Sequence, residues 1–423
     1  MFLRKNLILL NILLVLILIV GLTISIFAQE NVKIGVIYPL TGSLANAGKN
    51  ALNAINLAVS IVNEEHPDLA FNLAPSAGLP NLNGAKIEIV TGNTQGEPEF
   101  GRAEAERLIT LEKVDALLGA YQSGVTKTAS QIAERYKTPF VTGISTSPQL
   151  TERGFKYFFR TTQTTAHEAI GAMQLIKGLN ARENANIKTI GMFYENTEFG
   201  VASYDAVERA TIENGFEMVS NIKFPFSSVD LESEVLLLKN ANPDFVFGSF
   251  MISDLILFIK TCKKLDYIPK GYISLDTGLT EPELLDTVAE DANFLMTKDV
   301  FALDLTDKIP LLKKVNEMYR NLYGADFDGN NIRVFTGIMA LMDAINRAGS
   351  KDKEAIRKAL VETDISTDQL IVTWNGIKFD EKGQNVLSAP IFRQMLNKEL
   401  AIVYPFDLAF SELVYPLPKW SER

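Results

Sequence analysis

At 423 residues the chain exceeds what one hydrophobic core ordinarily organises, so two domains are expected. With 47% hydrophobic and 22% charged residues it reads as a folded globular protein, and neither disorder nor a disulfide scaffold is indicated. The formal charge of −10 opposes binding to nucleic acid or to an anionic membrane surface.

The first residues carry an export signal. Arg4 and Lys5 precede an apolar run over 7–27, and Ala28 closes it ahead of Gln29, Glu30 and Asn31. A basic start, an apolar centre and a small residue at the end describe a signal peptide, residues 1–28, cut after Ala28. The alternative is a retained anchor, because the run is long enough to span a bilayer and Ile26 is bulky for a cleavage site. No cysteine lies near the junction to take a lipid, and no second apolar stretch of membrane length follows. The mature chain is expected in the periplasm or outside the cell, or membrane-anchored if the segment stays.

Short β-branched runs then alternate with amphipathic patterns. Strands are expected over 33–38 (KIGVIY), 86–90 (KIEIV), 114–119 and 139–142, with helices over 47–64, 99–111 and 125–136 between them. This βαβαβ series demands a parallel sheet covered on both faces. The cycle restarts with strands at 189–194, 217–224, 244–250 and 271–275, separated by helices at 199–214, 231–240 and 254–265. The last helix contains Cys262, the single cysteine, which reads as a buried thiol. Beyond residue 297 helices are expected at 307–323, 332–348 and 352–361, then short strands from about 370. Residues 66–84, rich in Pro, Asn and Gly, read as a surface insertion. The fold class is therefore α/β, with two doubly wound parallel-sheet units.

Catalysis finds no support. The two histidines, His66 in the insertion and His167 at a helix start, have no ligand partner nearby, and no GxSxG, HExxH, GxxxxGK[ST] or CxxC spacing occurs. The Gly42-Ser43 turn after the first strand lacks the glycine pattern of a dinucleotide site. No metal and no cofactor are expected.

Five segments, in order and spacing, resemble one family. They are IGVIYPLTG (34–42), GAYQSGVTKTASQIAERYKTPFVTGISTSP (119–148), RGFKYFFRTT (153–162), YENTEFG (194–200) and GYISLDTGL (271–279). Over residues 31–404 the chain is similar to the leucine/isoleucine/valine-binding family of ABC-importer solute-binding proteins, which have the type I periplasmic binding protein fold. The resemblance implies two lobes joined by three crossover hinges, near Thr161-Thr162, 297–300 and 374–381. Lobe one would hold 31–161 plus 300–378, and lobe two 162–299 plus 379–423. It implies a monomer that binds an amino acid, branched-chain or otherwise apolar, between its lobes and delivers it to the permease subunits of the importer. The alternatives are an amide, urea or short-peptide ligand, or a ligand-sensing receptor subunit.

Ligands of open α/β sheets sit beyond the carboxyl ends of the strands. After strand 114–119 comes Ser123, a good helix N-cap, where free N–H groups suit a carboxylate. After strand 139–142 comes the hydroxyl-rich loop 143–148. The resemblance gives Ser123 and Thr146 to a ligand carboxylate, the Ile144 carbonyl to its ammonium, and Ser145 a less defined part between them. Asp276, after strand 271–275, falls where the family places the ammonium partner, normally a glutamate. The resemblance also puts Phe199 and Phe250 beside the ligand from lobe two, and Tyr121 and Phe335 around its side chain from lobe one. None of these aromatics could pair with a charged ligand tail.

Overall fold

A computed structural model describes residues 30–423 apart from 277. The expected signal peptide, 1–28, lies outside the described residues.

The first sheet consists of β1 (Val32–Tyr38), β2 (Ile87–Asn93), β3 (Ala116–Gly119), β4 (Phe140–Thr142) and β5 (Phe158–Arg160). Its order is β2-β1-β3-β4-β5 and every pairing is parallel. Strand β1 is buried almost throughout, as a parallel strand covered on both faces must be. Its side chains alternate between two cores. Ile34, Val36 and Tyr38 face the large cluster that includes Ile55 and Leu341, whereas Ile37 joins Leu108, Leu117 and Ile132 on the other side.

The second sheet repeats the plan with β6 (Thr189–Glu195), β7 (Glu217–Phe224), β8 (Phe245–Ser249), β9 (Tyr272–Ser274) and β10 (Met296–Asp299). These run in the order β7-β6-β8-β9-β10 and are parallel. A small β11–β12 pair (Asp364–Ile365 with Ile377–Lys378) belongs to the first lobe, through Ile377. The antiparallel hairpin β13 (Ile391–Leu396) and β14 (Glu399–Tyr404) extends the second sheet beyond β10, so that sheet is mixed at one edge. The late helices Pro310–Tyr323, Asn331–Ala348 and Lys353–Val361 bury Leu312, Ile338 and Ile356 in the first lobe's core.

The structure adds elements that the sequence reading did not list, among them β5, β10 and the helix Pro282–Val288. A 19-residue helix, Thr165–Glu183, opens the second lobe where the sequence marked only a helix start at His167. It starts at a capping box: the Thr164 hydroxyl accepts from the His167 N–H, and His167 Nδ1 accepts from the Thr164 N–H. His167 is thus a helix cap. Residues 66–84 are not a mere surface loop either. Leu69, Phe71, Leu73 and Leu79 are buried in the first lobe's core, and Phe71 lies 5.9 Å from Phe335.

The chain passes between the sheets three times: after Arg160, at Asp299–Val300, and between Gln384 and Ile391. The third passage falls later than the 374–381 expected. Phe379 still packs on Phe159 at 5.2 Å, and Gln384 bridges to Arg160, so lobe one continues past residue 378. Arg160, fully buried, stitches this region. It donates to Gln384 Oε1 (2.5 Å), the Ser147 carbonyl (2.6 Å) and Thr151 Oγ1 (2.9 Å). Gln384 and Asn385 in turn donate to the carbonyls of Thr162 and Thr161, both at 2.9 Å. The middle passage is pinned by the buried Asp299–Arg393 pair at 2.8 Å. Cys262 is buried and free, as its helical context implied.

Candidate functional site

The strand order reverses between β1 and β3 in lobe one and between β6 and β8 in lobe two, and residues that follow the carboxyl ends of β3, β4, β6, β8 and β9 meet between the lobes. Between them lies a cavity of about 40 Å³. Lobe one contributes Tyr121, Gln122, Ser123, Ile144, Ser145, Thr146, Asn330 and Arg333. Lobe two contributes Phe199, Phe250, Met251, Ile252, Leu275, Asp276, Gly278 and Glu281, with Lys298 at the middle passage. At roughly 10–15 Å³ per water the space holds about three waters, so anything larger enters only if the lobes part.

Side chains meet across the cleft. Lys127 pairs with Glu198 at 2.8 Å, and the Ser147 hydroxyl donates to the same carboxylate at 3.4 Å. The lobes are closed on one another.

Of the nine residues expected at a ligand site, eight converge on this cavity: Tyr121, Ser123, Ile144, Ser145, Thr146, Phe199, Phe250 and Asp276. Phe335 does not. It packs between Phe71 and Phe327 (5.9 and 5.7 Å) and borders a separate cavity on the flank of lobe one. The reason is helical geometry: residues two apart on a helix point to nearly opposite sides. Arg333 takes the cleft side of the helix Asn331–Ala348, which turns Phe335 inward. That helix comes close because residue 143 is glycine, where a Cβ would lie 2.4 Å from the Arg333 carbonyl oxygen.

Ser123 is the first residue of the helix Ser123–Arg135, with Gln122 as its N-cap instead. The backbone N–H groups of that first turn lack intrahelical acceptors, which makes it a ready anion site. The Ser145 hydroxyl is committed to scaffolding, 2.6 Å from Thr126 Oγ1 and 3.1 Å from the Ala120 carbonyl. The Thr146 carbonyl accepts from the Thr165 N–H at 2.9 Å, so this loop is tied to the first helix of lobe two.

Asp276 is held by the Ser274 hydroxyl (2.5 Å), the Gly278 N–H (2.7 Å) and the Phe250 N–H. Burial pushes its carboxyl upward despite these donors. Phe250 is wholly buried against Phe193, Phe224 and Phe258, presenting one edge to the cavity. It serves core and wall together.

Glu281, Lys298, Asn330 and Arg333 were not foreseen. Glu281 accepts from Tyr121 Oη at 3.4 Å and Asn330 Nδ2 at 3.3 Å, and burial raises it to about 8. Arg333 donates to the Gly329 carbonyl (2.7 Å), Asn330 Oδ1 (2.6 Å) and, at 3.5 Å, the Ile144 carbonyl. The carbonyl expected to receive a ligand ammonium thus already faces a guanidinium. Lys298 pairs with Glu168 at 3.0 Å, both buried. Behind the cleft, Glu195 accepts from Thr197 Oγ1 (2.7 Å) and the Met251 N–H (3.0 Å), and burial raises it to about 8. Among the described residues no group of three or more His, Cys, Asp or Glu is placed to hold a metal, and no helix is long and apolar enough to cross a membrane.

Two α/β lobes around a cleft of convergent polar groups and aromatic walls define a solute-binding protein. A profile of the family described as "Periplasmic binding protein" matches residues 31–394, and the chain belongs to that family, whose members are extracytoplasmic substrate-binding proteins rather than enzymes. It is similar to Leu/Ile/Val-binding protein homolog 8 of Brucella abortus (strain 2308), with 28% identity over 407 residues, 93% of this chain and 96% of the relative. Among solved structures it shares the fold of the leucine binding protein LivK of Thermotoga maritima MSB8 (TM-score 0.73, 24% identity, 89% of this chain and 100% of that one). It also shares the fold of LivJ of Streptococcus pneumoniae, solved with isoleucine (TM-score 0.72, 19% identity, 92% and 100%). The chain is a transporter substrate-binding protein of the Leu/Ile/Val-binding type.

Proposed function

We propose that this protein captures an α-amino acid between its lobes and delivers it to the permease subunits of an ABC importer. The observation that carries the reading is the pairing across one cavity of Asp276 with the helix start at Ser123 and the Thr146 loop. An α-amino acid presents an ammonium and a carboxylate on one carbon. Asp276 accepts from the ammonium; the first-turn N–H groups at Ser123 and the Thr146 hydroxyl donate to the carboxylate. Phe199, Phe250, Ile252 and Leu275 cover the aliphatic part of the ligand. The names of the relatives support the amino-acid class, as does the isoleucine in LivJ. An amide or urea would satisfy the donors equally well but would leave Asp276 without a cation.

Calorimetric titration of the purified protein with each common amino acid, and with urea and acetamide, tests the reading. It predicts at least one amino acid bound at micromolar affinity or tighter. Binding of the neutral amides alone would refute it.

A further inference from the structure

We infer that the ligand is an α-amino acid whose side chain ends in a cationic nitrogen, and that Glu281 is the residue that selects it; this rests on the amino-acid reading of the cleft. The argument is a count of buried charge. Four charged side chains line the cavity: Asp276, Glu281, Lys298 and Arg333. Lys298 is answered by Glu168 at 3.0 Å. Among the described residues, Asp276, Glu281 and Arg333 have no opposite charge within 4.0 Å, although all three are buried, at 8%, 6% and 2% exposure. A buried charge is tolerated only when paired or well hydrogen-bonded; Asp276 and Arg333 each have three hydrogen-bond partners within the protein, whereas Glu281 has two long ones.

The zwitterion common to all α-amino acids leaves one of the acids over. Its ammonium meets Asp276, and its carboxylate, at the Ser123 helix start, lies in the cavity that Arg333 lines. Glu281 remains. An ionised carboxylate offers about four acceptor positions, and among the described residues Glu281 receives two long contacts, from Tyr121 and Asn330, at 3.4 and 3.3 Å. Arg333 does not neutralise it directly. The two are joined only through the Asn330 amide, which accepts from the guanidinium and donates to the carboxylate. Asp276, Asp328 and Glu283 add negative charge around Glu281, which further disfavours its ionisation while the cleft is empty. A ligand cation reverses this balance, and its methylene stem packs on Phe199, Phe250 and Ile252 as long basic side chains do. The sequence reading of an aromatic pocket unable to pair with a charged tail omitted this acid.

The test is calorimetry with lysine, ornithine, arginine, leucine and glutamine, at pH 7 in phosphate and in Tris, on the wild type, Glu281→Gln and Glu281→Leu. One of the three basic amino acids should bind at least tenfold more tightly than leucine or glutamine. Glu281 is pushed to about 8 in the empty site, so meeting a cation at pH 7 should release close to one proton, read from the difference between buffers. Glu281→Gln, which keeps the shape, should lose on the order of a hundredfold for that amino acid and abolish the proton release. Glu281→Leu should shift preference towards leucine. Tightest binding of leucine or glutamine by the wild type would overturn the assignment of Glu281 and leave the amino-acid reading standing. Binding of no amino acid would overturn both.

Discussion

Replacing Asp276 by asparagine separates charge from shape at the centre of the site. The carboxylate already accepts from Ser274, Gly278 and Phe250, which leaves about one of its four acceptor positions for a ligand ammonium. Asparagine has one acceptor oxygen and a nitrogen that must find an acceptor. The Ser274 hydroxyl, 2.5 Å away, can rotate to supply it, so the fold should tolerate the change. Breaking a buried ion pair by removing one partner costs roughly 3–5 kcal/mol. At about 1.4 kcal/mol per decade, that is a loss of about two to four orders of magnitude in amino-acid affinity. Stability of the empty protein should move the other way. The folded state raises the Asp276 carboxyl above its unfolded value, so its ionisation at neutral pH works against folding. Asparagine removes that term, and the ligand-free melting temperature at pH 7–8 should hold or rise. Calorimetry and thermal melting on the same preparations decide the matter. A folded variant that binds the preferred amino acid within a few-fold of wild type would refute the ammonium assignment.

Three further outcomes are expected. Phe335→Ala should destabilise lobe one by about 3–5 kcal/mol in denaturant unfolding yet leave ligand affinity within a few-fold; a selective loss of affinity would return that ring to the cleft. Glu195 is an acid raised to about 8, so its folded form keeps a proton that the unfolded chain gives up near its ordinary value of 4.5; its contribution to stability therefore falls as pH rises from about 4.5 to about 8. The melting temperature of Glu195→Gln should exceed that of wild type by a margin that grows between pH 5 and pH 8, and a constant margin would contradict the burial argument. Finally, the lobes must part to admit a ligand to a cavity of about 40 Å³, so small-angle scattering should register a smaller radius of gyration at saturation than in the ligand-free protein; an unchanged radius would count against hinge closure.

Much of the fold was legible because parallel strands buried on both faces write themselves as continuous apolar runs, such as KIGVIY, set between helical periods. Of the helix Thr165–Glu183 only the start at His167 was legible, because Gly171, Gly178 and the exposed Ile170 interrupt its apolar stripe; Gly171 lies where the helix meets Phe392, at the mixed edge of the second sheet. The stretch 66–84 looked like a solvent loop from its Pro, Asn and Gly content, yet Phe71 and Leu73 are pinned to a helix more than 250 residues away in sequence, a long-range contact that local composition does not encode. At the site, residues following strand ends were found because topology fixes where those ends point. Glu281, Asn330 and Arg333 were not, since they arrive from a loop and a helix start whose approach depends on tertiary contacts. The one available signal was an Asp-Gly-Asn-Asn run (328–331) just ahead of a helix carrying Arg333 into an otherwise apolar pattern.

The central claim is that the cleft holds a free α-amino acid. Native mass spectrometry of protein purified without added ligand, followed by identification of what is released on denaturation, tests it most directly. The account predicts one α-amino acid per chain, lost from Asp276→Asn and retained by Phe335→Ala. Release of a molecule without a primary amine, retained equally by Asp276→Asn, would contradict it.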